Sequence, residues 1–153
     1  MARVYLLHHA EALGPDVDPQ RPLSSRGLEQ AAWVAAEARA RGVLPAAIWH
    51  SGKLRARQTA EAVLRACQPM AEFRMIRGLR PDDPPAWLLA ELGPETRDVV
   101  LAGHRPHLPA LARAMAGPGA DVPLHGLTAL ERREDGHAGG GWVELWRIAP
   151  PDA

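Results

Sequence analysis

Two short apolar runs constrain this chain more than any other feature: Val4-Tyr5-Leu6-Leu7 near its start and Val99-Val100-Leu101-Ala102 further along. A continuous apolar run of this length reads as a strand buried on both faces, which requires a parallel sheet covered by helices. Each run ends in histidine, with His8 and His9 after the first and Gly103-His104 after the second. Ligands gather where parallel strands end, so imidazoles at two such exits read as halves of one site. Between them lies Arg55, in Ser51-Gly52-Lys53-Leu54-Arg55-Ala56-Arg57-Gln58-Thr59-Ala60-Glu61, a natural partner for an anion.

The remaining pattern alternates strands and helices. A strand is expected at about residues 3–8, then a polar loop through residues 14–22. A helix over residues 25–41 sets Leu28, Ala31, Ala35 and Ala38 along one face and stops at Gly42. Residues 46–49 make a second strand, 54–67 a helix, 73–76 a third strand and 84–92 a further helix. Residues 98–102 form the fourth strand. Its helix carries Leu108, Leu111, Ala112 and Met115 at helical spacing, with Pro106 suited to the first turn. Residues 124–134 and 142–148 resemble two strands, joined by the glycine-rich residues 135–141 as a hairpin. The expected fold class is α/β, a three-layer α/β/α arrangement whose mostly parallel central sheet ends in an antiparallel edge hairpin. All of residues 1–153 are expected to form a single domain.

Composition excludes several function classes. The 18 basic and 18 acidic side chains cancel, so no global charge steers the chain to nucleic acid or to an acidic membrane. Cys67 is the single cysteine and has no internal disulfide partner; its helical spacing with Ala56, Ala60 and Val63 reads as a buried, inert thiol. The apolar stretches are too short to span a bilayer and no signal-peptide pattern is visible, so a cytoplasmic location is expected. Trp33, Trp49, Trp87, Trp142 and Trp146 read most simply as core or edge-packing residues.

The histidines and Arg55 suit phosphoryl transfer. Neutral imidazole is a good nucleophile toward phosphorus, and its phosphorylated form is labile enough to hydrolyse. The reaction otherwise needs positive charge and hydrogen-bond donors around the equatorial oxygens. Arg55 offers a fork of donors at a helix start, where the backbone dipole favours an anion. His104 offers a donor just before a helix, and Gly103 lets a ligand approach the backbone closely. Ser51, next to His50 at the second strand's exit, is placed to hydrogen-bond near the site, and His125 to line its rim. His8 and His9 as a metal pair is the weaker reading, because adjacent strand residues point to opposite faces. No metal and no cofactor are expected.

These motifs resemble those of the histidine phosphatase superfamily, the group that contains the cofactor-dependent phosphoglycerate mutases, and within it the short SixA-type phosphohistidine phosphatases. The likeness covers nearly the whole chain. It rests on the strand ending in His9-Ala10-Glu11-Ala12, on Arg21-Pro22-Leu23-Ser24-Ser25-Arg26-Gly27, on residues 51–61, and on Leu101-Ala102-Gly103-His104-Arg105-Pro106. It implies that His9 is the phosphorylated histidine, with Arg55 and His104 holding the transferring group. It also implies a phosphatase acting through a phosphohistidine intermediate. The implied partner is a phosphorylated protein of the histidine-phosphotransfer type, or a small phosphorylated molecule.

Two departures qualify the likeness. Family members begin the first triplet with an arginine that grips phosphate, and this chain has His8, a smaller ring that is often neutral. Losing one preorganised donor of that kind costs on the order of 100- to 1000-fold in rate. Arg57, Lys53 and Arg105 are the nearby basic residues available to compensate, and Arg105 itself stands where the family commonly has asparagine. Second, mutase-like members carry an acidic insertion after the third strand, whereas residues 77–84 here are short and lack glutamate. Asp18 is the candidate for any acid role. The short segment implies an open site that suits a protein-borne substrate. The alternatives are a broad phosphomonoesterase and a phosphate- or phosphoprotein-binding module that has lost turnover with the arginine.

Overall fold

The computed structural model describes residues 2–134 and 141–152. Its elements run β1 (Arg3–His8), α1 (Ser25–Ala40), β2 (Ala47–His50), α2 (Leu54–Cys67), β3 (Glu72–Met75), α3 (Pro85–Leu92), β4 (Val99–Gly103), α4 (His107–Ala116), β5 (Leu127–Arg132) and β6 (Trp142–Ile148). The six strands form one sheet in the order β3-β2-β4-β1-β5-β6. The β1–β4, β2–β4 and β2–β3 pairs are parallel; β1–β5 and β5–β6 are antiparallel. The mostly parallel sheet with an antiparallel edge is thus as expected. The connection between β5 and β6 falls mainly on residues 135–140, outside the described residues.

Alternation along the central strands sorts the core into two layers. Val4, Leu6, Val99 and Leu101 pack with Leu88 and Leu92 of α3 and Leu108, Leu111, Ala112 and Met115 of α4. Tyr5, Leu7, Val100 and Ala102 face Val34, Ala35 and Ala38 of α1 and Ala60 and Val63 of α2. Both faces are therefore covered, which is why Val4 to Leu7 of β1 and Val99 to Ala102 of β4 are apolar.

Three details differ from expectation. The buried face of α1 is Gly27, Gln30, Ala31, Val34, Ala35 and Ala38, while Leu28 is 54% exposed. Glycine and glutamine take the inward positions because the loop after His9, rather than more apolar core, packs against that first turn. β5 starts at Leu127, later than expected, because residues 123–126 form a turn closed by the Gly126 N–H on the Pro123 carbonyl at 2.9 Å. Trp87 is exposed on α3, with the Arg77 guanidinium 4.3 Å over its ring, whereas Trp49 and Trp142 are buried. Cys67 is half-buried, its thiol on the Ala35 carbonyl, and burial raises its pKa.

Gly27 is the position where α1 meets the loop that follows His9. A Cβ there would stand 1.9 Å from the Glu11 carbonyl oxygen, and that oxygen is main chain and already accepts the Ser24 N–H. Gly27→Ala is therefore expected to cost about 1–3 kcal/mol or more. Gly14→Ala, which meets nothing within 4 Å, should stay within about 0.5 kcal/mol. Urea denaturation of both variants checks this, and equal stability would show that the contact is not a constraint.

Candidate active site

The parallel register brings the predicted residues to one edge. His8 lies opposite Gly103, and His50 lies opposite Ala102, so β1, β2 and β4 release His9, Ser51 and His104 side by side. The loop after His9 is pinned by side-chain acceptors from the α1–α2 face. Thr59 accepts the Ala10 N–H at 3.0 Å, Gln30 the Glu11 N–H at 2.9 Å and Gln58 the Leu23 N–H at 2.8 Å. Thr59 in turn donates to the Arg55 carbonyl at 2.8 Å, tying that loop to the first turn of α2. Gly103 accepts the His9 N–H at 3.1 Å. Its lack of a side chain accommodates the Leu79 carbonyl, 3.1 Å from where a Cβ would sit. The chain itself thus comes close to Gly103 on this side.

Four imidazoles gather at this edge. The His9 ring lies 4.5 Å from His8, 5.1 Å from His104 and 6.3 Å from His125, centroid to centroid. His8 and His9 thus pack against each other, since strand alternation no longer applies where β1 ends. Among the described residues, no group of three or more His, Cys, Asp or Glu is placed to hold a metal ion.

Main-chain partners set the tautomers. His9 Nδ1 is 2.7 Å from the Ala10 carbonyl. A carbonyl only accepts, so Nδ1 carries the proton and Nε2 keeps its lone pair. His8 Nδ1 accepts the His125 N–H at 2.8 Å, which puts the neutral ring's proton on Nε2. The His125 ring donates from Nδ1 to the His9 carbonyl at 2.8 Å. His104 Nε2 meets the Ser51 hydroxyl at 2.7 Å, and that oxygen also takes the Lys53 N–H at 3.3 Å. The Ser51–His104 bond fixes the orientation of the ring, with Nδ1 turned away from Ser51.

Burial holds these rings neutral. It pushes His9 down to about 4, helped by the positive charges near it, Arg55 and Arg21 among them, and opposed by the Ala10 carbonyl. Burial likewise takes His8 to about 2 and His104 to about 3, each lowered further by neighbouring imidazoles. Arg55 is also lowered by burial and by Arg21. Two buried nitrogens here, Arg55 Nε and His104 Nδ1, have no hydrogen-bond partner among the described residues. An oxyanion matches that donor set: fixed N–H groups and cationic guanidinium beside a ring nitrogen with a free lone pair.

The other predicted residues are placed as follows. Arg105, exposed, gives its guanidinium to the Val122 carbonyl at 2.9 Å while its charge acts on His8. Lys53 acts on His104, and Arg57 on His50. Asp18 accepts the Gln20 N–H at 2.9 Å and closes the turn before Arg21. Ser51 also lines a cavity of about 320 Å³ with Met75, Ile76, Arg77, Arg80, Asp83 and Trp87. Sequence reasoning quoted Arg21 inside a motif without giving it a place in the site. The structure sets it in a left-handed conformation (φ 51°), its Nε on the Leu13 carbonyl, with its charge acting on both His9 and Arg55. The signal available was the arginine-proline pair ending a polar loop.

The match that decides the family spans residues 4–81, where the chain fits the model of the histidine phosphatase superfamily (branch 1). The chain belongs to the histidine phosphatase superfamily. Solved structures agree with this. The SixA protein of Agrobacterium tumefaciens, assigned as a phosphohistidine phosphatase, is 28% identical, with 97% of this chain and 98% of that one covered at a TM-score of 0.80. The protein histidine phosphatase SixA complexed with tungstate is 22% identical, with 98% of each chain covered, also at 0.80. The phosphoserine phosphatase of Entamoeba histolytica is 16% identical, with 99% of this chain and 98% of that one covered at 0.72; at such identities the likeness is of fold. No curated protein matches the sequence. Histidine phosphatase superfamily members are phosphatases, and this chain has their fold.

Acid stability reports on the neutral rings of this superfamily site. His8, His9 and His104 have pKa values of about 2, 4 and 3 when folded, against about 6.5 unfolded. Below about pH 6.5 the unfolded chain binds protons that the folded chain refuses, so stability is full above that pH and falls as pH falls. The slope is up to about 1.4 kcal/mol per pH unit for each histidine. Urea denaturation at pH 7.5, 6 and 5 measures it; a stability constant over that range would refute the neutral cluster.

Proposed function

We propose that the chain is a phosphatase that removes phosphate from phosphohistidine on a protein, through a phosphohistidine formed on His9. The observation that carries this reading is the His9 tautomer: the Ala10 carbonyl holds the Nδ1 proton, and the free Nε2 lone pair stands among Arg55, His104 and His8. His9 Nε2 attacks phosphorus as the bond to the substrate's ring nitrogen breaks. A substrate ring protonated on its other nitrogen leaves as neutral imidazole, so no strong acid is needed. Water then attacks phosphorus, the P–Nε2 bond breaks, and inorganic phosphate leaves while His9 recovers its lone pair.

In this scheme Arg55 and the N–H groups of His8 and His104 hold the equatorial oxygens, with Gly103 supporting His9 from behind. Arg105 lends its charge to His8, and Asp18 is the remaining candidate acid. The short segment after β3, with exposed Arg77 and Arg80 beside the Ser51 cavity, suits a phosphoprotein better than a small sugar phosphate. A second reading has its own observation. His8 is buried and neutral and brings no permanent charge, as a binding module without turnover would tolerate.

Rapid acid-free trapping during turnover of a small phosphoramidate separates the two. The first reading expects an acid-labile phosphoenzyme in the wild type, with adduct and turnover lost by on the order of 1000-fold or more in His9→Ala. Folded protein that binds phosphate without adduct or turnover would establish the binding module. Where turnover occurs, kcat/KM should be level near neutrality and fall as pH drops toward about 4, where Nε2 of free His9 takes a proton.

A further inference from the structure

The turn that delays β5 does more than reverse the chain. His125 sits in it with φ 58°, a left-handed conformation uncommon outside glycine, although histidine is among the residues that adopt it more readily. Gly126 behind it is wedged, since a Cβ there would stand 2.2 Å from the Ile148 carbonyl and 3.0 Å from Pro123 Cβ. From that fixed position His125 makes two bonds that both reach the end of β1. Its main-chain N–H donates to His8 Nδ1, and its ring donates to the His9 carbonyl, both at 2.8 Å. The ring also stacks on His8 at 5.3 Å and 29°.

We propose that His125 is a positioning residue that makes His8 a neutral Nε2–H donor to the phosphoryl group and holds the main chain of the nucleophile His9. The inference rests on the phosphatase reading and deepens it. A main-chain N–H never accepts, so as long as that bond stands, His8 has one tautomer and presents one donor. The ring at position 8 then contributes hydrogen bonding without charge. Permanent positive charge in the site comes from Arg55 of α2, Arg21 of the loop after β1, Arg105 after β4 and Lys53 before α2, each of which acts on one of the clustered histidines. His9 is the imidazole packed against the pair, and His104 packs on His9 in turn. The oxyanion is thus gripped partly by uncharged donors whose direction is set by a single turn.

Two variants separate the parts of this device. His125→Gly keeps the main-chain N–H and the left-handed φ but removes the ring; His125→Asn keeps both and restores a side-chain N–H near the His9 carbonyl. Nitrogen-15 NMR of the imidazoles reads the His8 tautomer directly, with inorganic phosphate as the probe ligand. In the wild type, His8 should show an unprotonated Nδ1 and a protonated Nε2 from pH 5.5 to 8, and phosphate should perturb Nε2. His125→Gly should retain that tautomer while kcat on a phosphoramidate falls on the order of 10- to 100-fold with little change in KM, and His125→Asn should recover most of the loss. A His8 proton on Nδ1, a His8 titration near neutrality, or a folded His125→Gly with wild-type kcat would each overturn the proposal. If the wild type turns nothing over, the phosphatase reading fails, and the tautomer together with the phosphate-induced shift still decides the role of His125.

Discussion

The hydrogen bond from His9 Nδ1 to the Ala10 carbonyl is the contact on which the chemistry of this fold depends. It decides which nitrogen keeps its lone pair, and the proposed reaction uses that one. It also has a consequence for the proposed transfer: phosphorylation at Nε2 would leave the ring cationic with its proton on Nδ1, and the carbonyl dipole already faces that proton. The charge that develops therefore meets a preorganised acceptor rather than water. That acceptor is only as fixed as Ala10, whose own N–H is held by Thr59, and Thr59 is held by the main chain of Arg55. His9 and Arg55 thus share one short run of hydrogen bonds.

Burial then sets the charge state. Imidazoles packed into the end of a covered parallel sheet lose solvation faster than they gain partners, so the protonated forms are suppressed. For His9 this favours the reactive form at neutral pH. For His8 the same effect removes the one means by which histidine could imitate arginine, a positive charge. What remains is a directed N–H, and its direction comes from the His125 main chain. Substitution at position 8 and the turn before β5 are therefore one structural question.

Much of this was legible in the sequence, and the failures have physical causes. The apolar runs ending at His8 and Gly103 announced buried parallel strands, and α2 and the buried face of α4 follow their helical spacing. Leu28 misled because periodicity marks apolar residues, whereas the inward face of α1 begins at Gly27 and Gln30, which pack on polar main chain instead. The late start of β5 was hidden because a left-handed histidine carries no compositional mark of a turn. Arg21 was visible as a residue but not as a neighbour of His9, and His125 only as a residue of the rim, since each reaches the site through a loop whose path depends on tertiary hydrogen bonds.

The same contrast bears on how such a site tolerates change. The sheet supplies positions: register alone places His8, Gly103, Ala102 and His50 in line, and these contacts would survive many substitutions. The loops supply proton positions, through single bonds from Ala10 and His125. On the proposed reading, a ring can stand at position 8 because a loop bond dictates where its proton sits. An arginine needs no such partner because its donors never change; a histidine there does, and this chain provides it from the residue that also grips the nucleophile's carbonyl.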